Sequence, residues 1–120
     1  MAEYIVQRRP FIVPTSDGKR IEEHFGRASE QAGDYSIAHM IAPEAWSEPA
    51  QTPDFDEITI MIAGRLRVHF ADEVVEVKAG ESIFIPRGVR VRYSNPFGRP
   101  AEYWSFCTPA FTAETSHGEA

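Results

Sequence analysis

A chain of 120 residues fits one domain of ordinary size and is too short for two. Hydrophobic residues make up 42% and charged residues 25%, which is typical of a globular protein and excludes extensive disorder. The formal net charge of −6 argues against nonspecific binding to nucleic acids or anionic membranes, because both require a positively charged surface.

The cysteine count and the N-terminal residues bear on the cellular compartment. One cysteine, Cys107, cannot form an internal disulfide, and this favours a reducing cytoplasm. Residues 1–10 (MAEYIVQRRP) lack the apolar core of a signal peptide, and no apolar run in the chain approaches the length that crosses a bilayer. We therefore expect a cytoplasmic protein that binds neither membranes nor nucleic acids.

The first third of the chain predicts little regular structure. Residues 1–34 are expected to form an N-terminal extension that packs on the remainder of the domain. Two prolines interrupt any helix there, and residues 16–18 (Ser-Asp-Gly) mark a turn. Residues 19–30 (KRIEEHFGRASE) predict one short helical turn, whose length Gly26 limits.

From residue 35 onward the pattern is that of short strands separated by turns. Residues 65–70 alternate apolar and basic side chains, as a half-buried strand does, and glycine or proline punctuates the neighbouring segments. This spacing predicts an all-β sandwich or barrel over residues 35–110, followed by a flexible tail over residues 111–120. The predicted strands are 35–42, 58–62, 65–70, 74–77, 82–85, 89–94 and 101–108.

Two segments of the chain contain glycine, proline and acidic residues at motif-like spacings. The first is Glu57-x6-Gly64, within the string FDEITIMIAG, and the second is Gly80-x5-Pro86-x-Gly88-x2-Val91-x3-Asn95. The first resembles the closing half of the first motif of the cupin family, and its string is also similar to ethanolamine-utilization cupins; the second resembles the second cupin motif. The resemblance identifies the chain as a small single-domain cupin, and it implies a double-stranded β-helix, which is a jelly-roll-like barrel.

The histidine positions that the resemblance implies carry other residues. Metal-binding cupins direct three histidines and one glutamate into the barrel; at the histidine positions this chain has Gln51, Pro53 and Val91, and Glu57 remains. Proline and valine side chains cannot ligate a metal. We therefore expect no cofactor, with an atypical divalent-metal site formed by His39, Gln51 and Glu57 as the alternative.

Glu57 is the candidate acid or base. It shares a strand face with Thr59 and Met61, which directs its carboxylate into the predicted barrel. An apolar cavity destabilises the charged form of a carboxylate, and this suits a group that transfers protons. The candidate catalytic partners of Glu57 are Tyr93 and His39.

The function that these residues predict is the binding of a small molecule, with metal-independent isomerase, cyclase or lyase chemistry at Glu57. Two alternatives stay open: a non-catalytic binding or accessory protein, and a metal-dependent oxygenase or lyase that uses the atypical ligand set. The residues predicted to line the ligand pocket are Gln51, Thr59, Met61, Val91 and Tyr103.

The last predicted strand suggests how the protein assembles. Tyr103 shares one face of it with Cys107, whereas Trp104 and Phe106 share the other. Two large aromatic side chains on the second face indicate that it is covered, either by the N-terminal extension or by a second copy of the chain. We expect a homodimer.

Overall fold

The computed structural model describes residues 3–29 and 34–119, and almost all of the regular structure in them is β. One antiparallel sheet has six strands in the order β1-β2-β3-β10-β5-β8, and the second has four in the order β4-β9-β6-β7. The elements are β1 (Phe11–Ile12), β2 (Arg20–Phe25), β3 (Ser36–Ala42), β4 (Trp46–Ser47), β5 (Asp56–Ala63), β6 (Arg65–His69), β7 (Val74–Lys78), β8 (Ser82–Ile85), β9 (Arg92–Asn95), β10 (Ala101–Thr108) and α1 (Ala113–Ser116).

Chain crossings between the two sheets close the barrel. Strands β3, β5, β8 and β10 belong to the larger sheet. The chain crosses to the smaller sheet after three of them, because β3 is followed by β4, β5 by β6, and β8 by β9. The crossing from β5 to β6 takes place at Gly64, whose φ of 71° lies in the left-handed region that glycine adopts without strain. The all-β barrel predicted from the strand spacing is confirmed.

The space between the sheets is filled at one end by an apolar core. Leu66 and Val68 are fully buried, while their sequence neighbours Arg65 and Arg67 lie outside, so the alternation seen in the sequence is that of β6. The inward residues of both sheets that form this core are Ala42, Trp46, Met61, Leu66, Val68, Val77, Ile85, Val91, Tyr93, Ala101 and Tyr103.

The N-terminal segment differs from the expected helical turn. Residues 20–25 form β2, which pairs with β3 along the larger sheet, because Ile21 and Glu23 alternate toward the interior while Glu22 faces out. Residues 1, 2 and 30–33 of the predicted extension lie outside the described residues.

The C-terminal segment contains one short helix. Its described part, residues 111–119, contains α1, which has Thr112 at its N-cap, and Ser116 in that helix is buried. Beyond the helix, the Glu119 backbone amide donates a hydrogen bond to the Ala50 carbonyl. Across residues 3–29 and 34–119 no helix has the length and apolar character needed to cross a membrane.

Candidate functional site

A cavity of about 180 Å³ lies at the other end of the barrel, beside the apolar core. The inner face of the larger sheet forms one wall, and Val13, Phe55 and Phe111 contribute apolar surface around it. The polar side chains that line it are Thr15, Lys19, Glu23, Ser36, Glu48, Gln51, Glu57, Thr59, Tyr93, Tyr103, Ser105 and Cys107.

Strand register places the central carboxylate. Glu57 on β5 lies directly opposite Cys107 on β10, and Thr59 lies opposite Ser105. Since side chains on a strand alternate between the two faces, all four of these residues point into the cavity. The sequence prediction that Glu57 and Thr59 share an inward face is therefore confirmed.

Both oxygens of Glu57 accept hydrogen bonds from hydroxyl groups. The Tyr93 hydroxyl, which comes from β9 in the other sheet, donates to Oε1 at 2.6 Å. The Ser105 hydroxyl donates to Oε2, and Cys107 Sγ lies 3.7 Å from the same oxygen. Burial and the neighbouring Glu57 charge raise the pKa of Tyr93 well above its ordinary value, so its phenol stays protonated and donates a hydrogen bond to Glu57.

The Cys107 thiol does not serve as a nucleophile in this arrangement. Burial is the main reason that its pKa is raised above the ordinary value, and the negative charge of Glu57 acts in the same direction. Around Glu57, the site therefore places its carboxylate among protonated hydroxyl and thiol groups, which is a set suited to moving protons rather than to forming covalent intermediates.

Three charged residues of the cavity, Lys19, Glu23 and Glu48, were not predicted from the sequence. The turn at residues 16–18 brings Lys19 into the cavity, where only 8% of the residue is exposed and its Nζ lies 3.9 Å from Glu48 Oε2. Burial opposes the charge on Lys19, but Tyr103 and Glu48 outweigh that effect and raise its pKa. Burial also raises the pKa of Glu48, against the influence of Lys19.

No local sequence pattern marks Lys19 or Glu48 as site residues. Lys19 follows a predicted turn, and Glu48 stands beside a proline in an acidic loop, so each resembles an ordinary solvated residue. Ser105 was placed on the correct strand face but not assigned to the site. Its alternation with Tyr103 and Cys107 on β10 is the signal that would have found it.

His39 does not face the barrel interior, and the prediction that it assists Glu57 is wrong. Ala38 and Met40 of β3 line the cavity, so His39 between them lies on the outer face of the sheet. There Glu102 Oε2 lies 2.7 Å from its Nε2, and Glu22 Oε1 lies 3.1 Å from its Nδ1.

The predicted pocket residues divide into two groups. Gln51, Thr59 and Tyr103 line the cavity as expected. Met61 and Val91 point inward but are packed into the apolar core, each 1% exposed, and neither lines the cavity, which corrects their assignment to the ligand pocket. The backbone of Gln51 pairs with Val91 in an isolated β-bridge, which fixes the loop at the cavity edge.

The residues around Glu57 do not fit the metal ion that many cupins bind. The proposed set of His39, Gln51 and Glu57 is not assembled, since the sheet lies between the first residue and the third. Among residues 3–29 and 34–119, no three histidine, cysteine, aspartate or glutamate side chains cluster in a way that could hold a metal ion. Both Glu57 oxygens already accept hydrogen bonds.

A closed antiparallel barrel with a carboxylate at the centre of a small cavity defines a class of small-molecule-binding β-barrels. The chain belongs to the cupin family: the family's cupin domain pattern matches residues 38–107, which is more than half of the chain. One curated relative, named endoribonuclease YbeY, comes from Myxococcus xanthus strain DK1622 and is 44% identical over 112 residues. That match covers 93% of this chain and only 38% of the relative.

Solved structures with a similar fold carry varied names. A putative ethanolamine utilization protein Q from Salmonella typhimurium LT2 has a TM-score of 0.63 and 21% identity, covering 78% of this chain and 71% of that one. An RmlC-like cupin from Shewanella frigidimarina has a TM-score of 0.72 and 13% identity, covering 92% and 93%. A Streptomyces PAC13 variant with uridine has a TM-score of 0.76 and 12% identity, covering 100% and 92%. These likenesses show the fold alone.

Proposed function

We propose that the barrel binds a small organic molecule and that Glu57 moves a proton on it without a metal ion. The observation that carries this proposal is the Glu57 carboxylate, held by the hydroxyls of Tyr93 and Ser105 at the wall of the cavity. A carboxylate whose two oxygens are fixed by hydroxyl donors is positioned in advance for its substrate, which is a requirement of efficient general base catalysis.

The same geometry supplies the returning proton. Glu57 takes a proton from a carbon or an oxygen of the substrate and, as the protonated acid, returns it to another atom. Tyr93, whose raised pKa keeps its phenol protonated, holds Glu57 in place through the hydrogen bond that joins them. Proton removal at one atom and return at another is isomerisation, while loss of a leaving group after proton removal is elimination. We propose that the reaction belongs to one of these two types, or to a cyclisation that begins in the same way.

Deuterium incorporation tests this proposal with no need to choose a substrate beforehand. The protein is incubated with a bacterial metabolite extract in D2O, and mass spectrometry identifies compounds that gain deuterium. Glu57→Gln keeps the shape of the side chain and should abolish the gain, whereas Glu81→Gln, an exposed substitution of the same kind, should not alter it. Equal incorporation by all three proteins would refute proton transfer by Glu57.

The second candidate is a non-catalytic accessory protein, and the relative named as an endoribonuclease favours it. This chain corresponds to 38% of that relative, so the cupin domain occurs there as one part of a longer protein. Because a net charge of −6 disfavours binding to RNA, we propose that such a domain senses a small molecule. A ligand that native mass spectrometry finds retained by both the parent protein and Glu57→Gln, with no deuterium gained, would support this candidate over the first.

We also propose that two copies associate through the outer face of the larger sheet. Ile60, Ile62 and Phe84 are 46%, 48% and 59% exposed there, beside Trp104 on the neighbouring strand. Burial of this much apolar surface stabilises a dimer. Ile60→Lys should therefore give a monomer in sedimentation analysis, whereas Val74→Lys, at a comparably exposed position on the other sheet, should not. A monomeric parent protein at micromolar concentration would refute the proposal.

A further inference from the structure

Two buried polar groups near each other in the cavity, the Lys19 ammonium and the Tyr103 hydroxyl, are incompletely paired. Tyr103 is 3% exposed, and its buried hydroxyl has no hydrogen-bond partner among the described residues. The Lys19 ammonium lies 5.4 Å from the centre of the Tyr103 ring, and its ion-pair contact with Glu48 at 3.9 Å is longer than a hydrogen bond. Buried donors are normally paired, because an unpaired one destabilises the folded protein.

We propose that Lys19 and Tyr103 together bind a carboxylate group of the ligand, an inference that rests on the proposed small-molecule function of the barrel. An ammonium can only donate, and a phenol hydroxyl has one proton to donate, so a group that receives hydrogen bonds from both must be an acceptor. A carboxylate oxygen forms the strongest such pair, since a charge-assisted hydrogen bond is about twice as strong as a neutral one.

The charges of the cavity fix where an anionic group can lie. Glu23, Glu48 and Glu57 line the cavity, and Lys19 is the one lysine or arginine among the described residues of that lining, so a carboxylate of the ligand must lie beside Lys19. The Lys19 ammonium also lies over the Trp46 ring, 4.5 Å from the ring centre, which holds the charge in place within the cavity.

Lys19 acts in this proposal as a charge and not as a nucleophile. Although burial alone would lower its pKa, Tyr103 and Glu48 raise it, so the amine stays protonated and does not form a Schiff base. The cavity volume of about 180 Å³ equals about six water molecules at roughly 30 Å³ each. The ligand is therefore small, and its carbon chain extends from the carboxylate into the space that Glu57 also lines.

Three probes of matched chain length test the proposal: pentanoate, pentanamide and pentylammonium. NMR titration of the isotopically labelled protein follows binding, with the Trp46 indole signal as a reporter beside Lys19. Pentanoate should bind more tightly than the neutral amide or the cation. Lys19→Met should weaken pentanoate binding about tenfold or more, and Tyr103→Phe about tenfold.

The controls separate recognition from stability. Lys78→Met removes the only other lysine of the chain at an exposed position on β7, and it should leave pentanoate binding unchanged. Tyr103→Phe removes a hydroxyl that has no partner in the described residues, so it keeps the fold and remains informative if Lys19→Met does not fold.

The results that would overturn the proposal differ from those that bear on Glu57. Equal pentanoate affinity in the parent protein and Tyr103→Phe, tighter binding of pentylammonium, or no pentanoate binding up to tens of millimolar would each refute a carboxylate site. Proton transfer would stand in these cases if deuterium incorporation still depends on Glu57. Conversely, pentanoate binding that depends on Lys19 and Tyr103, with no deuterium incorporated, would support the carboxylate site and refute the catalytic function.

Discussion

Replacing Gly64 with alanine is expected to destabilise the barrel far more than the same replacement at Gly80. Both glycines have a positive φ, 71° and 86°, so both substitutions place a side chain in the left-handed region. That conformation costs a non-glycine residue about 1–2 kcal/mol, and the reduced entropy of the unfolded chain returns about 0.4–1 kcal/mol. Backbone conformation alone therefore predicts a loss of about 1 kcal/mol at either position.

The surroundings of the two positions differ. A Cβ at Gly64 would overlap the Pro100 carbonyl oxygen and lie 3.1 Å from Ala101 Cα, at the start of β10, whereas a Cβ at Gly80 meets nothing within 4 Å. Forcing a backbone shift in a packed region adds about 1–3 kcal/mol, which brings the Gly64→Ala loss to about 3 kcal/mol. The same shift would displace β10, which carries Ser105 of the site.

Urea unfolding of the two variants and the parent protein measures this difference. We expect the free energy of unfolding to fall by about 3 kcal/mol for Gly64→Ala and about 1 kcal/mol for Gly80→Ala, which corresponds to roughly 12 °C and 4 °C in Tm for a chain of this size. If the two losses in the free energy of unfolding lie within about 0.5 kcal/mol of each other, the close approach of Gly64 to Pro100 does not contribute to the cost of the substitution.

Three further predictions concern buried or partly buried polar groups. The Cys107 thiol, whose pKa is raised, should resist iodoacetamide at pH 8 in the folded protein and react rapidly in urea; fast labelling of the folded state would contradict its burial. Burial opposes the charge on Asp17, but hydrogen bonds from the Trp46 indole and the Lys19 amide outweigh that effect and lower the pKa of Asp17 below its ordinary value of 3.8. The stabilisation of the fold by ionised Asp17 is therefore present above pH 3.8 and is lost as the pH falls through the folded-state pKa. When unfolding is followed by tryptophan fluorescence, the free energy of unfolding should decrease less between pH 5 and pH 3 for Asp17→Asn than for the parent protein. An identical decrease in both proteins would refute the role of Asp17. Asn95→Ala should lower the free energy of unfolding by about 3 kcal/mol, because the buried amide donates to three carbonyls, and a loss under 1 kcal/mol in urea would contradict that role.

Much of the fold could be predicted from the sequence because strand periodicity and turn chemistry are local properties. The alternation of residues 65–70 predicts β6, and the spacing from Gly80 to Asn95 resembles a cupin motif whose glycines occupy the turns observed here. Glu57 was placed in the barrel for the same reason, since a period of two fixes its face relative to Thr59.

The errors arose where both faces of a strand are apolar or where contacts are distant in sequence. The run that contains His39 has no polar face, so alternation alone cannot tell which side is inward; the pairing of His39 with Trp104 decides it. Met61 and Val91 were correctly directed inward, but a strand face does not reveal where the apolar core ends and the cavity begins.

The sequence by itself therefore determined the strands, the turns between them and the inward position of the central carboxylate. Only the tertiary structure decided what surrounds that carboxylate. Tyr93 lies 36 residues from Glu57 along the chain and reaches it from the opposite sheet, and Lys19 meets Glu48 across two separate loops. Such contacts depend on how two sheets close over each other, because a cavity is formed by residues from distant segments and no periodicity within one segment encodes their meeting.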